Sequence, residues 1–352
     1  MAKTSVTNTG RTIDFAQFVH PLRGITLTRV RKSAAVFGAV ILALGALVGL
    51  NWTPDRSVES LRERWAPAPS KFLTIDGMSV HLRDEGPGDD PHPIVLIHGT
   101  SSSLHTWEGW VASLKGQHRV VSFDLPGAGL TGPFPDDDYG IEHYKRFIGD
   151  FLDWLRIKHA TLVGNSLGGR VAWETTVARP DLADRLVLID ARGYPSEEAG
   201  PPPIAVQIAQ VPVLGPLLIE HITPRSLIAK SLVKAYGDPQ KLTSDLVNRY
   251  YELLLRAGNR RALILQIEQE SYADSDRIKT ITIPTLIIWG GLDQVVPVPN
   301  AKRFHLDIAQ SQLVVFRQLG HVPQEEDPAQ TVKALKDFLS VESHEQARNE
   351  TP

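Results

Sequence analysis

The chain has 352 residues, of which 42% are hydrophobic and 22% are charged, a composition that is ordinary for a globular protein of one large or two modest domains. The net charge of -3 argues against a general nucleic-acid-binding protein. Because the sequence contains no cysteine, disulfides, thiolate metal sites, a cysteine nucleophile and cysteine-linked lipid anchors are excluded.

The N-terminal region combines a basic segment with a long apolar one. Residues 1–32 carry six lysines and arginines against one acidic residue, and residues 33–54 carry no charged side chain. A helix needs about 20 apolar residues to cross a bilayer, so we predict a basic cytoplasmic tail and then a single transmembrane anchor over residues 33–54. The positive charges before the anchor place the following domain outside the cytoplasm, in the periplasm. A cleaved signal peptide and a soluble helix remain as alternatives, although the long basic lead-in and the missing polar face argue against them.

A linker and a hairpin precede the main body of the chain. The linker, residues 55–70, ends in the proline-rich sequence APAPS, which is typical of a stiff connection. Two alternating runs between residues 71 and 86 are joined by Asp76-Gly77, a dipeptide that strongly favours a β-hairpin turn. We therefore predict that the folded domain begins at residue 71.

From the hairpin onward, short apolar runs alternate with helix-like segments. Runs of this kind, apolar on both faces, are typical of buried parallel strands. They occupy residues 93–99, 118–127, 159–165, 184–190, 283–291 and 311–320. The alternation predicts an α/β protein with a mostly parallel, doubly wound sheet. Its core comprises residues 71–190 and 280–341, and a tail follows at 342–352.

One interval, residues 191–279, is too long to be a simple connection between two strands. It begins with a proline-rich stretch and continues with amphipathic helical patterns, such as SDLVNRYYELLLRA at 244–257. We predict a helical cap over one end of the sheet. Its apolar segment VPVLGPLLI, at 211–219, suits either a lipophilic acyl chain of a substrate or the packing of the cap itself.

The sequence GNSLGG at 164–169 places Ser166 between a predicted strand and a predicted helix. A G-x-S-x-G pattern alone is weak evidence, because it arises by chance in roughly one chain of this length in ten. The strand–turn–helix context is what a nucleophile elbow requires, since the sharp turn lifts the hydroxyl out of the sheet. We predict that Ser166 is a catalytic nucleophile.

A serine nucleophile needs a base, and the base needs an acid that orients it. His321 follows the last apolar run, and Asp293 follows the run before it, so both lie at the sheet edge where the serine lies. The order Ser, Asp, His is the one expected for this architecture. Asp190, at the end of an earlier run, is the rival acid, whereas Glu325 and Glu326 are predicted to begin a solvated helix.

The transition state of acyl transfer also needs an oxyanion hole, formed by two hydrogen-bond donors. The backbone N–H of Leu167, at the start of the helix after the serine, is the first predicted donor. The loop IHGTSSSLHTW at 97–107 follows an early strand, and we predict the backbone N–H of Thr100 as the second donor. Trp107 and Tyr194 are predicted to line the substrate pocket, although aromatic residues near strand ends are as often part of the core.

Taken together, the motifs resemble those of the α/β-hydrolase superfamily over about residues 71–340. The resemblance rests on His98-Gly99 with Trp107, DLPGAGLT (124–131), GNSLGG (164–169), RLVLIDARGYP (185–195), WGGLDQVVP (289–297) and GHVPQEEDP (320–328). It is strongest to the branch of bacterial esterases, cofactor-free haloperoxidases and meta-cleavage product hydrolases. It implies Ser166 as nucleophile, His321 as base, Asp293 as orienting acid, and a cap over the site. Epoxide hydrolases and haloalkane dehalogenases carry an aspartate at the nucleophile position, so the serine argues against both.

The sequence therefore predicts a membrane-anchored serine hydrolase that cleaves a small, lipophilic carboxylic ester through an acyl-enzyme, with no metal and no cofactor. Hydrolysis of a carbon–carbon or amide bond by the same three residues remains an alternative. The loop around Thr100 contains fewer glycines than is usual in meta-cleavage hydrolases, which argues against the carbon–carbon reaction. A catalytically inactive binding protein is the least favoured reading, and the sequence leaves the oligomeric state open.

Overall fold

The computed structural model describes residues 48–195, 214–272 and 274–349, together with isolated residues at 36, 38, 39, 42, 45, 46, 207 and 211. The chain divides into two units, Met1–Asn51 and Trp52–Pro352, and the elements below belong to the second. Much of the predicted anchor over residues 33–54 falls outside the described residues. Within the described part of the chain, no helix is both long enough and apolar enough to cross a membrane.

An eight-stranded sheet organises the second unit, with strand order β1-β2-β4-β3-β5-β6-β7-β8. The strands are β1 (Lys71–Ile75), β2 (Met78–Glu85), β3 (Ile94–Ile97), β4 (Val120–Phe123), β5 (Ala160–Asn165), β6 (Ala183–Ile189), β7 (Thr285–Gly290) and β8 (Ser311–Phe316). The pairs β1·β2 and β2·β4 are antiparallel, and all other neighbours in the sheet are parallel. The predicted mostly parallel sheet is thereby confirmed.

One helix of this unit, α1, precedes the first strand, and the other helices lie between or after the strands. They are α1 (Val58–Trp65), α2 (Glu108–Leu114), α3 (Ile141–Trp154), α4 (Leu167–Ala178), α5 (Leu214–His221), α6 (Arg225–Ala235), α7 (Ser244–Leu254), α8 (Asn259–Glu268), α9 (Pro299–Asp307), α10 (Pro323–Glu326) and α11 (Pro328–Asn349). Helices α5 to α8 fall in the interval predicted to form the cap. The exact bounds of that cap, 191–279, stay a prediction.

The hairpin shows how local sequence sets local structure. Ile75 pairs with Met78 across a two-residue turn, and both turn residues, Asp76 (φ 48°) and Gly77 (φ 77°), have positive φ. A two-residue turn with positive φ at both positions matches the right-handed twist of the flanking strands. The Asp-Gly dipeptide adopts this conformation at low cost, because glycine has no Cβ and aspartate tolerates it.

Two apolar layers cover the two faces of the sheet. On β5, Leu162 belongs to one layer and its neighbour Val163 to the other, as expected when successive side chains of a strand point to opposite faces. The first layer includes residues of α3 and α4, such as Phe151 and Trp173, and the second includes residues of α2 and α11, such as Phe338. Because helices bury both faces, the carboxyl ends of the parallel strands are left as the edge where polar loops can converge.

Candidate active site

Ser166 lies at the sharp turn between β5 and α4, with φ 55° and ψ -116°. A non-glycine residue in this region costs of order 1–3 kcal/mol, and such strain concentrates at functional sites. The turn is held by two backbone hydrogen bonds, from Ser166 N to Ile189 O (3.0 Å) and from the N–H of Arg192 to Ser166 O (3.1 Å). The serine is therefore held in a strained conformation by the neighbouring strand β6.

The two glycines around the serine are required by close backbone contacts. A Cβ on Gly164 would lie 2.1 Å from the Gly168 carbonyl oxygen, and a Cβ on Gly168 would lie 2.2 Å from the Ile97 carbonyl oxygen. Contacts this short with backbone atoms cannot be relieved by rotating a side chain. The elbow can thus pack against β3 only because both positions lack a side chain.

His321 and Asp293 meet at the same edge, in the loops that follow β8 and β7. His321 Nδ1 lies 2.8 Å from Asp293 Oδ2. The other carboxylate oxygen, Oδ1, accepts hydrogen bonds from the N–H groups of Val295 (2.7 Å) and Val296 (3.0 Å). Because an ionised carboxylate can only accept, Nδ1 carries the proton and Nε2 is left as the ring nitrogen that can accept one.

Ser166 and His321 line one cavity, but no hydrogen bond joins the serine hydroxyl to the imidazole in the part of the chain that the structure describes. Catalytic hydrogen bonds are often long before substrate binds and tighten in the complex. The structure thus brings the predicted acid and base into contact and places the predicted nucleophile in the same cavity. The proton relay from the serine to the histidine stays a prediction.

The cavity that contains Ser166 has a volume of about 430 Å³ and two chemically distinct parts. Its polar part is formed by the loop 99–102, Asn165, Ser166 and His321. The rest is mainly aliphatic, and the lining residues there include Ile219, Ile222, Leu227, Ile228, Leu232, Leu254, Leu263, Ile264, Ile267, Val295 and Val322. Such a cavity is suited to a substrate with an apolar portion and a reactive polar group at one end.

Two arginines contribute to the cavity wall, and both are already paired with carboxylates. Arg192 Nη1 lies 2.6 Å from Glu270 Oε1, and Arg260 Nη2 lies 2.6 Å from Asp55 Oδ1. Arg260 also donates hydrogen bonds to the hydroxyls of Thr53 and Thr223. A negatively charged substrate that binds either guanidinium would have to compete with an existing intramolecular ion pair.

The two predicted oxyanion donors line one small cavity together. Thr100 lines the main cavity, and Leu167 is the first residue of α4, lining a smaller neighbouring cavity of about 100 Å³ that Thr100 also lines. Among the described residues, neither backbone N–H donates a hydrogen bond. A Cβ on Gly99 would lie 3.0 Å from Ser166 Cβ, so the loop that carries Thr100 packs directly against the serine.

His98 holds this loop in place from inside the protein. Its ring is fully buried, with Nδ1 2.8 Å from the Gly99 carbonyl oxygen and Nε2 accepting a hydrogen bond from the N–H of Leu125 (2.9 Å). This pair of contacts requires the neutral imidazole, because one nitrogen must donate and the other accept. Consistent with this, burial lowers the pKa of His98 below its ordinary value.

Trp107 and Tyr194 require a correction, because neither predicted substrate-binding residue lines the cavity. Trp107 is completely buried and packs edge-on against Trp110 at 5.5 Å between ring centres. Tyr194 donates a hydrogen bond to Asp307 (2.9 Å), and its ring lies 4.8 Å from that of Phe304. Both side chains belong to the apolar layers on the sheet, an outcome that sequence position alone does not determine.

Tyr250 of α7 is a cavity residue that the sequence analysis missed. It is the only aromatic residue among the described residues that line the cavity, and its hydroxyl lies 3.0 Å from Glu325 Oε2 and 3.4 Å from Ser102 Oγ. Burial, together with the neighbouring Glu325 carboxylate, raises the pKa of the phenol. No sequence signal separates Tyr250 from the adjacent Tyr251, because the phase of the helix relative to the cavity depends on tertiary packing.

Glu325 and Glu326 lie in the short helix α10, but the prediction that they are solvated is wrong, because Glu326 is buried and the side chain of Glu325 is only 9% exposed. Glu325 accepts hydrogen bonds from the Tyr236 hydroxyl (2.7 Å) and from Arg249 (2.5 Å), in addition to the one from Tyr250. Glu326 accepts from the N–H of Gly320 (2.8 Å) and from two N–H groups in the turn after α6. The hydrogen bonds of these two carboxylates therefore connect the segment after His321 with α7 and with the turn that follows α6.

Asp190, the rival acid, lies next to the predicted one. It follows β6 with φ 44°, is completely buried, and accepts a hydrogen bond through Oδ1 from the N–H of Gly290 (2.9 Å). The imidazole Nδ1–H of His321 donates its hydrogen bond to Asp293, the predicted orienting acid, and not to Asp190. Burial and the neighbouring Asp293 carboxylate raise the pKa of Asp190 well above its ordinary value.

Comparison with known proteins agrees with this arrangement of sheet and loops. A family model described as alpha/beta hydrolase fold matches residues 92–328, a range that includes the elbow and both loops. An uncharacterized protein of Mycobacterium tuberculosis is 32% identical over 288 residues, which cover 78% of this chain and 82% of that protein. The 2-hydroxy-6-oxo-2,4-heptadienoate hydrolase of Pseudomonas putida is 28% identical over 77% of this chain and 96% of that protein. Among solved structures, a meta-cleavage product hydrolase from Pseudomonas fluorescens matches with a TM-score of 0.66 and 26% identity, over 77% of this chain and 97% of that chain.

Proposed function

Because this chain belongs to the α/β-hydrolase family, we propose that it is a serine hydrolase in which Ser166 attacks a carbonyl group of a substrate held in the aliphatic cavity. The observation that carries this proposal is the hydrogen bond between Asp293 and His321, whose imidazole lines the same cavity as Ser166. An imidazole oriented in this way can take the hydroxyl proton as the serine attacks and later return it to the leaving group.

The proposed reaction has two stages. Ser166 Oγ bonds to the carbonyl carbon, its proton passes to His321 Nε2, and the N–H groups of Thr100 and Leu167 stabilise the resulting oxyanion. Protonation of the leaving group by the imidazolium then breaks the scissile bond and leaves an acyl-enzyme, which water hydrolyses. Asp293 stays ionised throughout and stabilises the imidazolium that forms.

The first candidate for the bond that is cleaved is a carbon–carbon bond next to a ketone. The relatives from Pseudomonas putida and Pseudomonas fluorescens are named as a heptadienoate hydrolase and a meta-cleavage product hydrolase, and the similarity covers nearly their whole length. This supports the alternative from the sequence analysis over the ester reaction that was predicted first. The required leaving group is a carbanion equivalent, so protonation of carbon must accompany bond breaking.

The second candidate is a carboxylic ester with an aliphatic acyl chain, and the cavity wall favours it. Apart from Tyr250 and two arginines, the residues that line the large part of the cavity are aliphatic or small, and the two arginines are paired with Glu270 and Asp55. A dienoic acid would bring a carboxylate into this wall, whereas a neutral ester would bury only apolar area there, at roughly 25 cal/mol per Å².

Turnover by the purified chain and by its Ser166→Ala variant tests the proposal. We expect the wild type to hydrolyse nitrophenyl esters or oxo-dienoic acids and the variant to lose at least about 1000-fold in kcat. The matched control is Ser79→Ala, which removes an exposed hydroxyl on β2 and should leave turnover unchanged. Labelling by a fluorophosphonate at a residue other than Ser166 would refute the assignment, and the relative rates on the two substrate classes would decide between the two bonds.

We also propose that residues 33–54 anchor the chain in a membrane, with the hydrolase unit in the periplasm. Support comes from the sequence alone: the uncharged apolar run and the basic residues before it. Separation of membrane and soluble fractions checks this. The full chain should sediment with membranes and a chain lacking residues 1–54 should not, whereas a full chain in the soluble fraction would contradict the anchor.

A further inference from the structure

The feature of interest is a pair of buried carboxyl groups, Asp190 and Asp293, beside the imidazole of His321. One carboxylate oxygen of each aspartate and one ring nitrogen of His321 all lie within 4.8 Å of one another. The carboxyl group of Asp190 is completely buried and that of Asp293 is nearly so. Two negative charges at this separation in a dry site repel strongly, so one of the two groups must be neutral.

The hydrogen-bond partners of the two acids decide which one carries the proton. Asp293 receives two backbone N–H groups on Oδ1 and the imidazole on Oδ2, all of which stabilise its ionised form. Asp190 receives a single N–H, from Gly290, on Oδ1. Its Oδ2 is buried and has no donor among the described residues, so an ionised Asp190 would leave a charged oxygen without a partner.

We infer that Asp190 is a protonated carboxylic acid whose Oδ2–H donates a hydrogen bond to the Asp293 carboxylate. This assignment supplies the missing partner of Oδ2 and leaves one negative charge on the pair. It also makes Asp190 a positioning residue, because it holds Asp293 in the orientation that meets His321 Nδ1. The part of the inference that concerns catalysis rests on the proposed hydrolase function, whereas the protonation state does not.

The surrounding charges agree with a neutral Asp190. The groups that face it are Asp293, His321 and, farther along the loop after β8, Glu326. Burial is the main cause that raises the pKa of Asp190, and the charges of Asp293 and Glu326 raise it further. The strand end of β7 contributes only the N–H of Gly290, which opposes this rise but does not reverse it.

The direct test is infrared spectroscopy of the full chain at neutral pH, comparing wild type with Asp190→Asn. A protonated carboxylic acid has a carbonyl stretch that an ionised carboxylate lacks, so the difference spectrum should contain one such band. Asp307→Asn, which replaces the carboxylate that accepts from Tyr194, is the matched control and should leave the band in place. Absence of the band from the wild type would overturn the inference even if the protein proves to have no hydrolase activity.

A second variant, Asp293→Asn, allows the band to be assigned even if Asp190→Asn does not fold. In Asp293→Asn the Asp190 carboxyl group stays buried, so it should stay protonated, but its carboxylate acceptor is replaced by a neutral amide and the band should shift in frequency. A band with the same frequency in this variant as in the wild type would belong to another buried acid, and that result would also overturn the inference.

The value of kcat/KM and its pH profile test whether Asp190 positions Asp293. Asparagine at position 190 can still accept from Gly290 and donate to Asp293, so we expect kcat/KM within about threefold of wild type and an unchanged acid limb of its pH profile. Asp190→Leu removes the donor and should lower kcat/KM by about tenfold or more. If Asp190 were ionised, Asp190→Asn would remove a negative charge beside His321 and move the acid limb to lower pH, which would contradict the inference.

Discussion

The Glu325 carboxylate and the Arg249 guanidinium form a buried ion pair, 2.5 Å apart, between helix α10, which follows His321, and cap helix α7. The side chains are only 9% and 13% exposed, so neither charge is well hydrated. The same carboxylate accepts hydrogen bonds from Tyr236 and Tyr250. The Glu325 carboxylate thus connects the segment that follows His321, the proposed base, with Tyr250 in the wall of the substrate cavity.

Glu325→Gln should destabilise the protein strongly, because it leaves the Arg249 charge buried without its partner. Removing one member of a buried ion pair typically costs about 3–5 kcal/mol in the free energy of unfolding, measured here by urea denaturation. The double variant Arg249→Met with Glu325→Gln should recover much of this loss, since glutamine can still accept from both tyrosines. The control is Asp337→Asn in the exposed pair with Lys333, where little change is expected. A double variant no more stable than the single one would contradict this account.

Ser166→Gly and Ser166→Ala should both lack turnover but differ in stability. At φ 55° a Cβ is unfavourable, so the glycine variant should be more stable by about 1 kcal/mol in urea unfolding. The reverse order is expected at Ser79, which lies in the extended strand β2, because glycine there only adds entropy to the unfolded chain. Equal stabilities of the two Ser166 variants would show that the elbow is not strained.

His105 should make the protein less stable in mild acid. Burial lowers the pKa of His105 to about 3, while its Nδ1 lies 3.0 Å from Ser103 Oγ and its Nε2 lies 2.8 Å from the Trp65 carbonyl oxygen. In the unfolded chain the pKa returns to about 6.5, so below that pH the unfolded state binds the extra proton. The free energy of unfolding should therefore fall, through this group, by up to about 1.4 kcal/mol per pH unit between roughly pH 6.5 and 3, and be unaffected above that window.

The measurement for His105 is urea unfolding at several pH values across that window. His105→Gln removes the titrating group, so the variant should show a shallower loss of stability than the wild type. His92→Gln, at an exposed histidine, is the control and should keep the wild-type slope. Identical slopes in wild type and His105→Gln would mean that folding does not lower the pKa of this residue, which would contradict the prediction.

Under the proposed ester reaction, Leu263→Trp should change which acyl chains are hydrolysed. Leu263 lines the aliphatic part of the cavity of about 430 Å³, and an indole there would take up space that a long chain needs. In a series of nitrophenyl esters, we expect kcat/KM for long acyl chains to fall about tenfold or more and that for acetate to change less than about threefold. Leu306→Trp, at a highly exposed leucine, is the control. Equal losses for short and long chains would indicate damage to the site rather than a filled cavity.

The architecture could be predicted from the sequence because it depends on patterns that are local. The apolar runs that became β3 to β8, the Asp-Gly turn and the glycines around Ser166 each reflect a constraint within a few residues of chain. The ends of parallel strands share one edge, so the loops with Asp293 and His321 were expected near the serine. In the structure these two residues are hydrogen-bonded, and the serine lines the same cavity.

Side-chain direction and burial could not be predicted in this way. Trp107 and Tyr194 pack into apolar layers, Tyr250 lines the cavity, and Glu325 is buried, because each of these outcomes depends on which neighbour a helix or turn packs against. In the sequence, Asp190 and Asp293 were alternative candidates for the acid that orients His321, and nothing local indicated that they would lie side by side.

The sequence by itself thus determined the α/β order of the elements and the positions of the candidate nucleophile, acid and base, since backbone periodicity and turn chemistry are encoded locally. Only the tertiary structure decided what surrounds them: an aliphatic cavity, a cap tied by buried carboxylates to the histidine loop, and two acids side by side. The physical reason is that burial, and with it charge state and hydrogen bonding, is set by segments that are distant along the chain and meet only when it folds.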